Sequence, residues 1–417
     1  MEPRPAPELT PGPSRPADWR GRLQFSLVVA AIWLAGQIVT QAMADHYAPT
    51  NPAAAVLWRA DSANALTGLA EQRLLAHDPG HAARLARRAL EKSPLQVRAL
   101  STLGAAWDQA GQAERADPLM SLAGDRGWRD GLAQTWLFGR RTLEGRYSEA
   151  LDNADATLRR TASPQLFIIL GAFASDTRTA GLLAGRLRGA PSWRTSFLTF
   201  LGSDAQTDSE AGAYAMLHAL AQGPTPPTQA ELGAYLHRLI REKKFRQADM
   251  ALRELSRPAP APGEYVHNGG FDPGHETPPF DWRITASAGS SLIMTGAPGP
   301  GSGTALRVSY DGISPSPFLR QMLAPPGGDY ELSGQVLPET QGGADRFSWA
   351  VICDDDSRVL GRVSVGRARQ GVWSGFQAPM SIPANGCAQA WLQLIADPGD
   401  QRSDIVVWFR RLSLRPR

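Results

Sequence analysis

The sequence predicts a multidomain chain: an N-terminal transmembrane helix, an α-solenoid of helix pairs, and a C-terminal antiparallel β-sandwich. Three observations carry this. First, the 22 residues "LQFSLVVAAIWLAGQIVTQAMA" (Leu23–Ala44) hold no charge, and as a helix they would reach about 33 Å, enough to cross a bilayer. Second, small and apolar residues then recur every 34 positions between Leu69 and Ala154. Third, after residue 263 the apolar period falls to two, and Gly, Pro and Asp turns separate short runs.

Composition sets the outer bounds. A chain of 417 residues has room for two or three domains, and 42% apolar residues supply real cores rather than wholesale disorder. The 43 bases and 40 acids leave a formal charge of +3. No basic block stands out, so no nucleic-acid partner is expected.

Residues 1–22 form a Pro/Arg-rich tail with Arg4, Arg15, Arg20 and Arg22, and Asp45 follows the apolar stretch 23–44. That asymmetry puts the N-terminus in the cytoplasm and the bulk outside, as in a single-pass protein of a bacterial inner membrane facing the periplasm. The rival is a cleaved signal with Phe25–Ala35 as its apolar region and Ala42-Met43-Ala44 as the small-x-small site, releasing a periplasmic protein after Ala44. Gln37, Thr40 and Gln41 favour the rival, and the length of the segment favours the anchor. Either way the rest is exported. In an oxidising compartment the two cysteines, Cys353 and Cys387, are expected to pair, with a chain-entropy gain of up to ~4 kcal/mol.

The repeat runs through Ala82, Ala116 and Ala150, through Leu69, Leu103 and Leu137, and through Ala86, Met120 and Ala154. Gly111 and Gly145 fall at the turn, where His77 stands in the first copy. A small residue at a fixed position lets two helices approach closely, and each pair leaves an apolar face for the next to cover. "LGAAWDQAGQAERA" (Leu103–Ala116) resembles the tetratricopeptide repeat, and the TPR-like region is assigned to 50–256. Degenerate copies follow at Phe167–Leu187 and Ala234–Leu255, where Phe245-Arg246-Gln247-Ala248 is similar to the turn and Ala of the better copies. The resemblance implies a groove that holds a partner protein. Trp107, Trp128 and Trp136 are expected to pack between helices. A Pro-rich linker covers 257–263.

Residues 264–417 read as about eight short strands, including "TALRVSY", "FLRQML", "DYELSGQV", "RFSWAVIC", "RVLGRVSV", "AQAWLQLI" and "DIVVWFRRLSL", which argues two antiparallel sheets. The opening "EYVHNGGFD" (264–272), then "PFDW", "ALRVSYDG", "GVWSGFQAPMSIPANG" and the closing "VVWFRRLSL" resemble the jelly-roll, galactose-binding-like carbohydrate-binding modules found beside cellulases and xylanases. Those modules often hold a structural calcium between the opening acid and an Asp of the closing strand. Here Asp272 keeps the acid, but Arg410 or Arg411 occupies the closing position, and Arg cannot ligate calcium. No metal or cofactor is therefore expected, and Asp272 is expected to pair with an arginine instead. In "AQAWLQLI", Leu392 and Leu394 share the core face, so Trp391 and Gln393 face out as a carbohydrate platform. Trp408 is a third carbohydrate candidate, at a rim or an interface. Trp349 is core, and Trp373 matches a structural position of the family.

No Gly-x-Ser-x-Gly, Walker or zinc-spaced motif is present. Asp354-Asp355-Asp356 reads as a solvated turn. His267, Asp272, His275 and Glu276 read as an entry strand and loop. The expectation is a non-catalytic adaptor of the bacterial exopolysaccharide-associated type. It would hold a partner protein through its solenoid and polysaccharide through its sandwich during assembly or export. Two alternatives stay open. One is a purely structural protein-interaction protein whose sandwich no longer binds sugar. The other is an unrecognised glycan hydrolase, which would need two carboxylates at a fixed separation.

Overall fold

The computed structural model describes residues 19–203, 210–257, 259–274, 278–285, 289–299, 303–314, 318–341, 343–366, 368–385 and 387–417, with side chains from Leu23 onward. Arg4 and Arg15 of the tail, and His275 and Glu276, lie outside the described residues. The chain divides into two compact units, Met1–Arg160 and Thr161–Arg417.

The first unit opens with α1 (Trp19–Tyr47). Its stretch Leu23–Tyr47 is long and apolar enough to cross a membrane, and Leu23, Phe25, Ile32, Trp33 and Ile38 are all exposed. The last turns of the same helix behave differently. Ala44 and Ala48 are buried and Ala48 clusters with Ala55 and Ala65, against α2 (Pro52–Trp58) and α3 (Ala63–Leu75). Arg59 donates to the Gln41 side chain, and Asn64 donates to Asp45 at 3.1 Å. The end of α1 is thus sewn into the first helices that follow it.

Next come α4 (Pro79–Lys92), α5 (Val97–Gln109), α6 (Ala113–Arg126), α7 (Gly131–Leu143) and α8 (Tyr147–Leu158). The first helix of each pair begins at 63, 97 and 131, and the second at 79, 113 and 147, so the 34-residue period of the sequence is the period of the helix pairs. The turn between partners passes through the left-handed region at His77 (φ 56°), Gly111 (76°) and Gly145 (73°). Glycine takes that conformation without penalty, and His77 holds it at some cost. Ala82, Ala116 and Ala150 are fully buried. The middle pair carries Met120 where its neighbours have Ala86 and Ala154. Gly104 makes room for it: a Cβ there would lie 3.0 Å from the Met120 side chain. The absent side chain at Gly104 leaves the space that the longer Met120 fills. Trp136 packs beside the Leu100–Leu137 cluster and Trp107 beside Leu103, as expected, whereas Trp128 is 53% exposed.

Among the described residues the second unit begins with six helices: α9 (Pro164–Ser175), α10 (Thr177–Arg188), α11 (Arg194–Gly202), α12 (Glu210–Ala221), α13 (Gln229–Arg241) and α14 (Phe245–Leu255). The turn before α14 repeats the earlier solution, with Lys243 at φ 59° and Ala248 fully buried five residues on.

Among the described residues, ten strands then build two five-stranded antiparallel sheets. They are β1 (Arg283–Ile284), β2 (Ser290–Gly296), β3 (Thr304–Tyr310), β4 (Leu319–Leu323), β5 (Gly328–Pro338), β6 (Phe347–Cys353), β7 (Val359–Ser364), β8 (Ser374–Ile382), β9 (Ala390–Ala396) and β10 (Ile405–Pro416). One sheet runs β1-β4-β9-β6-β7 and the other β2-β3-β10-β5-β8. Phe271, Phe318, Phe347, Trp349 and Phe409 fill the space between them, each at most 1% exposed. Cys353 at the end of β6 is disulfide-bonded to Cys387, just before β9, across a Cα separation of 5.7 Å.

The opening segment 264–272 departs from the expected first strand. It lies along β10 without joining a ladder: Tyr265 N–H donates to Leu414 at 3.0 Å, and Leu412 N–H donates to Gly269 at 2.9 Å. Left-handed backbone at Asn268 (φ 49°) and Phe271 (58°) bends it out of strand geometry and drops the Phe271 ring into the core against Trp282. The expected pairing of Asp272 with the last strand is also absent. Its carboxylate accepts from the Thr304 hydroxyl, while Arg410 donates to Gln335 at 2.8 Å and lies 3.9 Å from the Trp373 ring. Strand alternation explains this, since Phe409 points into the core and Arg410 to the outer face. At the neighbouring bulge Arg411 takes φ 52°, which returns Leu412 to the core.

Helix α14 meets this opening segment through Asp249. Its carboxylate contacts Arg253 Nε at 2.7 Å and His267 Nε2 at 3.2 Å. Gln321 brackets the His267 backbone, accepting from its N–H at 2.9 Å and donating to its carbonyl at 2.6 Å. Burial pushes the Asp249 carboxyl up, but the His267 and Arg253 hydrogen bonds outweigh that and hold it below its ordinary value. A carboxyl depressed by folding stabilises above its unfolded pKa and loses that contribution as pH falls through its folded one. Asp249→Asn should therefore melt lower than the parent at pH 7, with the gap closing progressively below about pH 4. A gap that is constant from pH 7 to pH 3 would show that the carboxylate charge is not what joins α14 to the segment.

Candidate functional site

The sandwich offers two outer faces. On the sheet β1-β4-β9-β6-β7, alternation sends Leu319, Leu392, Leu394, Trp349 and Val351 inward. The outward residues fall into register: Arg283 opposes Arg320, Arg320 opposes Gln393, Gln393 opposes Ala350, and Ala350 opposes Arg362. One row of side chains thus crosses all five strands, about 19 Å at the usual strand spacing. The row beside it contains Met322, Trp391 and Ile352.

Trp391 and Gln393 face outward, as alternation requires, but Trp391 is not a bare platform. It is 7% exposed, because the guanidinium groups of Arg283 and Arg320 lie 5.2 and 4.5 Å from its ring centre. Its Nε1 donates to Asp354 Oδ1 at 2.7 Å, so the three-Asp turn is exposed as expected while one member orients the indole. At the far end of the row, Arg362 grips both carboxylate oxygens of Asp397 at 2.9 and 3.0 Å and donates to Ser348 at 2.8 Å. Gln393 is half-buried between these two arginine-bearing ends.

Trp408 belongs to the other sheet. It sits on the outer face of β10, clustered with Ala305 and Leu337 and beside Trp373. It is 7% exposed, its Nε1 donates to Glu339, and Arg307 lies 5.9 Å from its ring. Next to it, Ser333, Gln335, Gly375, Gln377 and Arg411 line a groove of about 380 Å³. Trp391 and Gln393 therefore cannot share one site with Trp408, because the two sheets face away from each other. Sequence reasoning missed Arg283, Arg320 and Arg362. The outward phase of Arg320 and Arg362 on their strands was a usable signal, whereas Arg283 sits on a two-residue strand and gave none. Among the described residues no three His, Cys, Asp or Glu gather into a metal-holding group.

No protein-family model matches the sequence, and no curated protein matches it. Among solved structures the chain is similar to one described as "CBM4 structure and function", with 12% identity over 36% of this chain and 99% of that chain and a TM-score of 0.28. It is similar to the CBM22-1 xylan-binding domain from Paenibacillus barcinonensis Xyn10C, with 16% identity, 38% and 97% coverage and a TM-score of 0.27. It is also similar to TmCBM61 in complex with beta-1,4-galactotriose, with 16% identity, 37% and 99% coverage and a TM-score of 0.26.

Proposed function

We propose that the chain is a membrane-anchored, non-catalytic adaptor in bacterial exopolysaccharide assembly or export. In this reading α1 sits in the inner membrane with the N-terminus cytoplasmic and the bulk periplasmic. The TPR-like helix pairs hold a partner protein, and the sandwich binds a glycan. The observation that carries it is the outward row from Arg283 to Arg362, in which Arg283, Arg320, Gln393 and Arg362 offer hydrogen-bonding side chains beside an indole. Retention of the anchor is supported by α1 itself. Its stretch Leu23–Tyr47 is long and apolar enough to cross a membrane, and contacts of Arg59 with Gln41 and of Asn64 with Asp45 tie its end to the helices that follow. The non-catalytic reading is supported by the carboxylates nearest the row, since Asp354 is engaged by Trp391 and Asp397 by Arg362. The covered Trp391 and Trp408 rings favour the second reading, a structural interaction protein without sugar binding.

Detergent-solubilised full chain on a polysaccharide array separates the two. Binding is expected, and Gln393→Ala should weaken it about fivefold, the equivalent of one hydrogen bond worth roughly 1 kcal/mol. A parent chain that binds no glycan would leave the second reading. Reporter fusions placed after Asp45 should be active only outside the cytoplasm.

A further inference from the structure

We infer that the ligand of this face is an anionic glycan, a chain of carboxylate-bearing sugars gripped by Arg283 and Arg320 above Trp391. The inference rests on the glycan-binding reading and adds the chemical class. Its starting point is an electrostatic oddity. Arg283 and Arg320 are directly opposite each other in an antiparallel pair, an arrangement that like charges make unfavourable. Sheets commonly relieve such a pair with an acid. Here neither arginine forms an ion pair among the described residues. Of the acids beside the row, Asp354 is committed to the Trp391 N–H and Asp397 to Arg362.

Both guanidinium groups instead lie over one indole, at 5.2 and 4.5 Å. Stacking on an aromatic face orients a guanidinium while leaving its N–H edge free. Two such edges over one ring, with Arg283 exposed and Arg320 half-buried, match the bidentate geometry of carboxylates. Gln393 continues the row as an amide donor and acceptor for hydroxyls. Ala350, the one short side chain of the row, is fully buried, so the polar groups that the row presents are those of Arg283, Arg320, Gln393 and Arg362. A neutral sugar chain would satisfy Gln393 but leave both guanidinium groups without a counter-charge. A chain bearing carboxylates at intervals satisfies both and relieves their repulsion.

The test uses full chain in detergent, with affinity electrophoresis through polygalacturonate, alginate and hyaluronan. Methyl-esterified polygalacturonate, xylan, β-1,4-galactan and polyglutamate serve as comparisons. At least one uronate polymer should retard the chain, its methyl-esterified or neutral counterparts should not, and added salt should weaken the effect. Arg283→Gln with Arg320→Gln should weaken binding by roughly a hundredfold, about tenfold for each guanidinium removed. Arg320→Lys, which keeps charge but not the planar fork, should fall between parent and double variant. Near-ultraviolet circular dichroism checks that each variant is folded. Retardation by a neutral glycan that survives the double substitution overturns the anionic class and leaves the glycan reading standing. Retardation by no glycan removes both. Equal retardation by polyglutamate shows that charge alone is read, and overturns the sugar.

Discussion

Glu231→Ala should destabilise the Thr161–Arg417 unit by about 3–5 kcal/mol, the cost of breaking a buried ion pair by removing one partner. Glu231 on α13 and Arg194 on α11 have side chains only 3% and 6% exposed. Arg194 Nη2 donates to Glu231 Oε2 at 3.0 Å. Arg194 Nε lies 2.9 Å from Oε1, but its N–H points off the line, so that contact is an ion pair rather than a hydrogen bond. The guanidinium also donates to the carbonyls of Leu187 at 3.3 Å, Thr225 at 3.2 Å and Pro226 at 3.1 Å. Glu231 does more than neutralise it. Its Oε2 accepts from Thr228 N–H at 2.9 Å to complete a capping box, and Oε1 accepts from the Thr195 hydroxyl at 3.1 Å. Truncation therefore strands a buried charge, a helix-start N–H and a hydroxyl together. Replacing both partners by methionine should cost markedly less than Glu231→Ala alone, because no unpaired charge remains. Urea unfolding followed by circular dichroism decides it. A Glu231→Ala loss below about 1 kcal/mol, the range of exposed pairs, would mean that water reaches this network.

What the sequence disclosed depends on how local the deciding interaction is. The helix pairs were legible because one small residue per turn of the repeat controls each close approach. Ala82, Ala116 and Ala150 recur with His77, Gly111 and Gly145, and the structure places all six as their spacing requires. Alternation likewise told which side of β9 Trp391 occupies. It could not tell what covers the ring, since Arg283 arrives through β1 pairing with β4, far away in sequence. Nor could it show that Trp408 faces away from Trp391, because sheet membership follows from the order β1-β4-β9-β6-β7 rather than from any one strand. The supposed Asp272–arginine clamp failed for a similar reason. Alternation puts Arg410 on the outer face against Gln335 and Trp373, just before the bulge at Arg411, while Asp272 meets Thr304 instead.

That bulge also explains the first glycine of the Gly-Gly in the opening segment. Gly269→Leu should destabilise the same unit by about 3 kcal/mol, combining overpacking with a broken buried hydrogen bond. Gly269 lies against the backbone of the bulge: a Cβ built on it would fall 1.9 Å from the Leu412 carbonyl oxygen and 2.9 Å from the carbonyl carbon. These are main-chain atoms, so no rotamer change relieves the clash. The Gly269 carbonyl accepts from the same Leu412 N–H at 2.9 Å, and any shift that admits a side chain breaks this bond. Two residues on, Phe271 is fully buried against Trp282, so the displacement reaches the core. Gly270 is the internal control, because a Cβ there would meet nothing closer than the Asp272 carboxylate at 3.5 Å. Gly270→Ala should cost about 1 kcal/mol or less, the ordinary range for a tolerated substitution. At about 2–4 °C per kcal/mol for a unit of this size, Gly269→Leu should melt roughly 6–12 °C below the parent and well below Gly270→Ala. Equal melting of the two variants would mean that the segment docks on β10 through its side chains, and that the close backbone contact at Gly269 is dispensable.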